Sequence, residues 1–277
     1  MKKHASKIYL FLIIGILYIP ILTLIFFSFN DSDSTAKFTG FSFKWYIELF
    51  NENTRGETFD ALKNSFILAL SSASLSTVIG TAAAEGIYRM KNKYLKRSVE
   101  AVTNIPMMNP DIVTGMSMML FFVAVAGILG VNYDSIGFLT MLIAHTTFCL
   151  PYVILSVLPR INEFGNTLTE AAQDLGCTPF RSFFKVKLPN IFPGIISGFI
   201  MAFTLSLDDF VISYFVGSAQ FQTLPLLIYS MTKKRVTPDM YALSTLIIVV
   251  IFLLLFISNV RSGKGASRSR KKRRAVK

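Results

Sequence analysis

The sequence predicts an all-α membrane protein that crosses the bilayer six times. Hydrophobic residues make up 52% of the 277 residues, charged residues only 16%, and the mean hydropathy is +0.53. This leaves too little polar surface for a soluble globule of this size. Six apolar runs are long enough for a helix to cross a hydrocarbon core of about 30 Å, which takes roughly 20 residues. The runs are continuous rather than alternating, which excludes a transmembrane β-barrel.

The six expected spans belong to one transmembrane domain over residues 1–262. They cover about residues 8–30, 64–88, 108–131, 136–159, 191–215 and 240–260. A polar segment at 160–189 separates the fourth span from the fifth, and a basic tail occupies 263–277. We interpret the first run as an uncleaved helix, because it is too long for the apolar core of a signal peptide and no small-residue cleavage site follows it.

Lysine and arginine residues predict the orientation of these spans. They cluster in the N-terminus, in the connection after the second span, in the polar segment and in the tail. Basic residues favour the cytoplasmic side, so we expect both termini and the polar segment to be cytoplasmic. The outer segment 31–60 is acidic by contrast, whereas the basic residues at 233–235 depart from the pattern. The net charge of +12 thus reflects topology rather than nucleic acid binding, and the tail either binds anionic lipid or only fixes topology.

Residues 167–189 have the pattern of two short amphipathic helices. Thr167 and Glu170 form a capping box at the start of the first helix. Gly176 supplies the left-handed residue that ends it, and Thr178 caps the second helix. Each helix has a small apolar face that must be covered. The cover is either the chain's own bundle or lipid surface, or the groove of a partner protein.

The same segment carries a set of residues at fixed spacing. They are Glu170, Ala171, Ala172, Gly176, Leu188 and Pro189, with Val186 two residues before Leu188. This arrangement resembles the EAA loop of permease subunits in binding-protein-dependent ABC importers, with valine where isoleucine is usual. The resemblance implies a MetI-like bundle of the type I importers, whose loop is seated in a cleft of a cytoplasmic ATPase.

Two sites place carboxylates where the sequence is otherwise apolar. Asp208 and Asp209 lie in the fifth span near the hydroxyls of Ser206 and Tyr214, and Asp111 begins the third span after two prolines. An ionised aspartate inside a bilayer costs at least about 2.5 kcal/mol, so it needs water, a cation or a partner. We expect these five residues to line a substrate pathway. Interhelical hydrogen bonds for the aspartate pair, and a helix cap for Asp111, are the alternatives.

An aromatic stretch and a histidine are further candidates. Trp45 lies in an aromatic outer segment, where it either anchors the chain at the interface or offers its ring face to an organic cation. His145 within a span is expected to be a hydrogen-bonded packing residue rather than a proton relay. Cys149 and Cys177 have no metal-binding or redox spacing, so we expect packing roles, and no metal or cofactor is expected.

Several motifs resemble the PotC-type permeases of spermidine/putrescine importers. These are KWY at 44–46, NPDI at 109–112, FCLP at 148–151, EAAQDLG at 170–176 and FTLSLDDF at 203–210. The resemblance implies a polyamine cargo contacted by Asp208, Asp209, Asp111 and Trp45 in a bacterial inner membrane. It also implies a related second permease, two cytoplasmic ATPase subunits and an extracytoplasmic polyamine-binding protein.

Three other functions are compatible with parts of the sequence. The chain could serve another small solute such as phosphonate, thiamine or iron, could be a secondary transporter that uses aspartate as a proton or sodium site, or could be a membrane scaffold. No phosphate-binding G-x-x-x-x-G-K-[ST] loop occurs in the sequence. An ATP-driven permease of this kind is therefore not itself an enzyme, and separate subunits hydrolyse the ATP.

The EAA-like loop distinguishes an ATP-driven permease from a secondary transporter. We expect the double variant Glu170→Ala, Gly176→Pro to reduce uptake to the background of cells lacking the chain, because proline fixes φ at about −65° and cannot take the left-handed conformation. Uptake of radiolabelled spermidine by whole cells measures the effect. Uptake that survives the double change would support the secondary transporter instead.

Overall fold

A computed structural model describes residues 2–32, 37–49, 52–130, 137–165, 167–218, 221–234, 240–246 and 248–249. These residues are almost entirely helical and include no strand beyond one antiparallel bridge between Asn30 and Phe41. Five helices in this part of the chain are long and apolar enough to cross a membrane. The all-α membrane class is confirmed. The sixth expected span, 240–260, lies largely outside the described residues, and its described part is helical.

The chain divides into two compact units, residues 1–58 with 228–277 and residues 59–227. In the first unit, α1 (Lys2–Phe27) is a long apolar helix, and its membrane-length part buries no residue within the chain. The short helix α2 (Lys44–Leu49) follows. Its Trp45 packs with Ala242 and Leu243 in a small apolar cluster.

The second unit is built mainly from long helices. Along the chain follow α3 (Glu52–Arg89), α4 (Lys93–Met108), α5 (Asp111–Leu129), α6 (Gly137–Phe164), α7 (Thr167–Asp174), α8 (Pro179–Ser182), a π-helical turn (Phe183–Lys187), α9 (Leu188–Asp208), α10 (Val211–Val216) and α11 (Leu224–Lys234). The start of α3 and the end of α11 belong to the first unit. The main hydrophobic core lies in the second unit and draws on α3, α5, α6, α9 and α10.

Helix α6 is at the centre of this core. In its most apolar stretch of 18 residues, 56% of the residues are buried, more than in any other described span. Its neighbour α9 presents small residues to it at four-residue intervals: Gly194, Gly198, Ala202 and Ser206 are all buried. A Cβ added at Gly198 would lie only 3.3 Å from the Cα atom of Val153 on α6. Small residues thus bring the two backbones into close contact, as is usual for helices in lipid.

The observed helix ends differ from the expected spans at several places, three of which follow. Helix α3 begins at Glu52, well before residue 64. Helix α5 begins at Asp111, because Pro110 precedes it in an extended conformation. The expected continuous fifth span, 191–215, is broken: α9 ends at Asp208, Asp209 is extended with φ −69° and ψ 122°, and α10 begins at Val211. The assumption that both aspartates lie within one helix is therefore wrong.

Two glycines of α3 provide a matched test of the close packing. A Cβ at Gly80 would lie 2.8 Å from Val153 Cγ1, whereas one at Gly86 would meet nothing within 4 Å. Gly80→Ala should therefore destabilise the protein by about 1–3 kcal/mol through overpacking. Gly86→Ala should be neutral or stabilise by up to about 1 kcal/mol through helix propensity. Melting temperatures of the purified variants in one detergent measure both, and equal shifts would contradict the packing described.

Candidate functional site

The first helix of the EAA-like loop ends as its sequence predicts. Helix α7 begins at Thr167, and Gly176 has φ 87°. The Cys177 N–H donates to the Ala172 carbonyl at 3.0 Å, and the Gly176 N–H donates to the Gln173 carbonyl at 2.8 Å. These two bonds form a Schellman motif, which satisfies the last carbonyls of the helix. Gly176 thus fixes the angle at which the chain leaves α7.

The second helix of the loop runs without interruption into the membrane-length helix α9. The Thr178 hydroxyl accepts the Arg181 N–H at 3.4 Å, and Pro179 is the first helical residue. Helix α8 then passes through the π-helical turn Phe183–Lys187 into α9. A displacement of α8 is therefore transmitted directly to α9, since no flexible linker separates them.

The apolar faces of the loop are not covered by the described part of the chain. Leu175 is 88% exposed and Phe180 is 75% exposed, and the Phe180 and Phe184 rings contact each other in a tilted arrangement with centroids 4.7 Å apart. Of the six loop residues singled out by spacing, Glu170, Ala171, Gly176 and Pro189 are exposed, whereas Ala172 and Leu188 are half-buried. The described bundle does not cover these faces, which favours a partner protein.

A buried ion pair anchors the end of the loop to α3. Lys187 is only 4% exposed, and its Nζ lies 2.8 Å from the Glu85 carboxylate. The Arg89 Nε donates to the same carboxylate at 2.6 Å, and the ring of Tyr88 lies 4.8 Å from Lys187 Nζ. The four-residue spacing of Glu85 and Arg89 predicts their contact. No sequence signal indicates Lys187, 102 residues away along the chain.

At the far end of α9, Asp209 stabilises the break between α9 and α10. Its carboxylate accepts the Ile212 N–H at 3.3 Å and the Ser213 N–H at 2.9 Å. It lies 3.5 Å from His145 Nε2, and the aspartate side chain is 6% exposed. The carboxylate therefore satisfies two backbone donors that the start of α10 leaves without helix partners.

His145 contacts both sides of the same break. Its Nδ1 lies 2.8 Å from the Ser206 hydroxyl on α9, and its Nε2 lies 3.1 Å from the Ser213 hydroxyl on α10. Ser72 on α3 donates to the Ser206 hydroxyl at 2.8 Å. The imidazole is fully buried and acts as a hydrogen-bonded packing residue. The buried hydroxyl of Ser206 belongs to this cluster, and the sequence did not indicate its contact with His145.

The two remaining carboxylates are accessible in the described chain. Asp208 is the last residue of α9 and Asp111 the first of α5, and both are exposed. No described residue forms a hydrogen bond or ion pair with either carboxylate. Asp111 follows Pro110, which occupies the cap position of α5, so Asp111 is the first residue of the helix rather than its cap. Tyr214 on α10 is 46% exposed, with its ring 5.6 Å from that of Phe210.

Trp45 lies in the other compact unit and is buried. Its indole Nε1 donates to the Asn30 carbonyl at 2.6 Å, and the Nζ of Lys44 lies 4.6 Å from the ring centroid. The ring packs against Leu49 and Leu243. The indole thus has a packing role within its unit, and a cation of the chain itself occupies one ring face.

The thiols and acidic groups of the described residues form no metal site. No cluster of three His, Cys, Asp or Glu side chains with suitable geometry occurs in that part of the chain. Cys149 is buried and its Sγ donates to the Ala202 carbonyl at 3.4 Å, while Cys177 is half-buried in the loop. Both thiols are free and Cys149 packs between helices.

The fold and these sites define a multi-pass helical membrane protein with an exposed EAA-like loop and a polar cluster at a broken helix. The sequence profile of the binding-protein-dependent transport system inner membrane components matches residues 76–264. The chain belongs to this family of transport proteins. Its expected class, a transport subunit rather than an enzyme, is thereby confirmed.

Curated relatives are similar over most of their length. The chain is 38% identical to the spermidine/putrescine transport system permease protein PotC of Haemophilus influenzae, over 92% of this chain and 95% of that protein. It is 38% identical to the putrescine transport system permease protein PotI of Escherichia coli K12, over 87% and 85%. It is 37% identical to PotC of the same strain, over 88% of each.

Solved structures with a similar fold are transporters of the same general kind. A bacterial ABC transporter involved in the import of the acidic polysaccharide alginate has a TM-score of 0.71 and 16% identity, over 93% of this chain and 96% of that chain. The MetNI methionine ABC transporter in an inward-facing conformation has a TM-score of 0.59 and 22% identity, over 74% and 93%. These similarities confirm the expected MetI-like permease bundle.

His145 can be tested as the residue that holds the helix break. His145→Leu removes partners from Ser206 and Ser213 and should destabilise the protein by about 1–3 kcal/mol for each buried group left unsatisfied. His145→Gln retains a donor and an acceptor and should cost less. Thr147→Val on the exposed face of α6 is the matched control, because its hydroxyl bonds only the Ile143 carbonyl of its own helix. We expect the melting temperature to fall most for His145→Leu and less for His145→Gln, and a different order would contradict this role of His145.

Proposed function

We propose that the chain is the permease subunit of an ATP-driven importer of polyamines and forms half of the translocation pathway. The observation that carries this proposal is the 38% identity to a spermidine/putrescine permease over 92% of the chain. A putrescine permease is equally similar, so the cargo class is the one that both names share. The preference between spermidine and putrescine is left to measurement.

The accessible carboxylates support a cationic cargo. A polyamine loses hydration as it enters a membrane protein, and carboxylates and aromatic faces replace it. Asp208 and Asp111 are exposed and unpaired within the described chain, in contrast to Asp209. We assign direct cation contact to Asp208 and Asp111, and a further contact to the partly exposed Tyr214 of α10. Asp209 and Ser206 stabilise the helix break, and Trp45 packs within its own unit, so we assign none of the three to cargo binding.

The exposed loop supports coupling to a separate ATPase. Its uncovered apolar residues, Leu175 and Phe180 among them, have the character of a helix that lies in a partner's groove. The chain has no phosphate-binding loop of its own. We assign the role of ATPase contact to Glu170, Ala171, Ala172, Gly176, Leu188 and Pro189.

The remaining parts of the assembly follow from the same function. We propose a related second permease that completes the pathway, two cytoplasmic ATPase subunits and an extracytoplasmic polyamine-binding protein. The chain would lie in a bacterial inner membrane with both termini and the loop in the cytoplasm, as the distribution of basic residues indicates. The tail at 263–277 is basic enough to lie against anionic lipid.

Substitution of the two neighbouring aspartates should separate cargo binding from structure. Asp208→Asn should reduce spermidine uptake by about tenfold, equivalent to about 1.4 kcal/mol, and leave the melting temperature unchanged. Asp209→Asn should lower the melting temperature as well, because an amide has one acceptor oxygen where the carboxylate has two. Radiolabelled uptake into cells and melting of the purified protein provide the two measurements.

Asp60→Asn is the control, since Asp60 is an exposed carboxylate of α3 away from the helix break. It should change neither quantity. If Asp208→Asn leaves polyamine uptake unchanged while uptake of another solute falls, the assigned cargo is wrong. If deletion of the chain affects no uptake at all, a scaffold is the better function.

A further inference from the structure

The junction between the EAA-like loop and α9 contains an ion pair to which the proposed function assigns no role. Lys187 is the last residue of the π-helical turn and precedes α9 directly. Its side chain is 4% exposed and its Nζ lies 2.8 Å from the carboxylate of Glu85. A lysine that is this deeply buried is retained only with a charged partner. The contact therefore links the loop to α3 specifically.

The same pair of helices is joined again at its other end. Ser72 on α3 donates to Ser206 on α9 at 2.8 Å. Glu85 lies 13 residues beyond Ser72 on α3, a distance of about 20 Å along the helix axis. Helices α3 and α9 therefore carry one polar link near the loop and a second one at the helix break.

We propose that the Glu85–Lys187 ion pair is a positioning contact that makes α3 and α9 move as one body when the loop is displaced. The inference rests on the proposed ATP-driven function and concerns how the loop acts on the pathway. Displacement of α8 moves α9 through the continuous helix, and the ion pair imposes the same displacement on α3. The link between Ser72 and Ser206 then carries the movement of α3 to the residues around the break.

Without the ion pair, the loop would still bind the ATPase but α3 would no longer follow it. Hydrolysis of ATP would continue, and less cargo would be carried for each ATP hydrolysed. A contact that only stabilises the fold predicts something else, because loss of stability lowers both activities in the same proportion. The ratio of ATP hydrolysed to cargo transported distinguishes these two roles.

The test uses the complete transporter reconstituted in liposomes, with ATP hydrolysis and spermidine uptake measured in the same vesicles. The main variant is the double substitution Glu85→Leu, Lys187→Met, which replaces the buried ion pair by apolar side chains. It leaves no buried unpaired charge, because Arg89, the other partner of Glu85, is 66% exposed and accessible to water. Such replacements are often neutral or stabilising, so the complex should assemble and melt as the wild type does. Lys91→Gln removes an exposed lysine just beyond α3 and is the matched control.

We expect the double variant to keep most of its ATP hydrolysis and to lose spermidine uptake by at least about fivefold, the lower end of typical coupling effects. The control should keep the wild-type ratio. The single variant Lys187→Met leaves the buried Glu85 carboxylate without its lysine and should reduce assembly yield in addition. Co-purification of the subunits and the melting temperature measure assembly separately from transport.

Two results would overturn the proposal. The first is a double variant that carries spermidine at the wild-type ratio, and the second is a double variant in which both activities fall together. Failure of the proposed function gives a different result, because the wild-type complex would then take up no spermidine. In that case the ratio of ATP hydrolysed to solute transported is measured with a solute that stimulates ATP hydrolysis by the wild-type complex.

Discussion

The need to pair backbone donors and charged groups that lie inside the helical bundle shapes the site around the helix break. Hydrocarbon offers no hydrogen bonds, so an unsatisfied N–H or carboxylate there is costly. The break between α9 and α10 would leave backbone donors unpaired. Asp209 accepts two of them, and His145 joins the hydroxyls on both sides. The polar residues that the sequence suggests as a binding site therefore also stabilise the interruption of the helix.

The same requirement explains the contrast between the neighbouring aspartates. Asp209 is engaged by backbone amides and buried, whereas Asp208 ends its helix exposed. Their adjacency made both plausible cation ligands in sequence. Because the helix stops between them, their side chains enter different surroundings, and one residue supports the backbone while the other stays accessible. An accessible carboxylate at the end of a helix is suited to contact a charged solute, as proposed for Asp208.

Packing of small residues provides the rigidity on which these contacts depend. Gly194, Gly198 and Ala202 let α9 approach α6 closely, and Gly80 does the same for α3. Side chains in such contacts have little freedom to rearrange, so helices move as units rather than deform. The polar contacts of Glu85 with Lys187 and of Ser72 with Ser206 then join α3 to α9, as proposed above. The EAA-like loop directly precedes α9, and its apolar faces are uncovered in the described chain.

The sequence by itself determined the membrane class, five of the spans to within helix-end differences, and the loop with its left-handed Gly176. These features depend on composition and on residues close in the chain, where hydrophobicity, capping and turn chemistry act locally. Only the tertiary structure decided that the fifth span breaks at Asp208, that His145 bridges the break and that Lys187 pairs with Glu85. The contacts of His145 and Lys187 join side chains 61 or more residues apart, which the packing of α3, α6 and α9 brings together. The break is stabilised both by this packing and by the local bonds of Asp209.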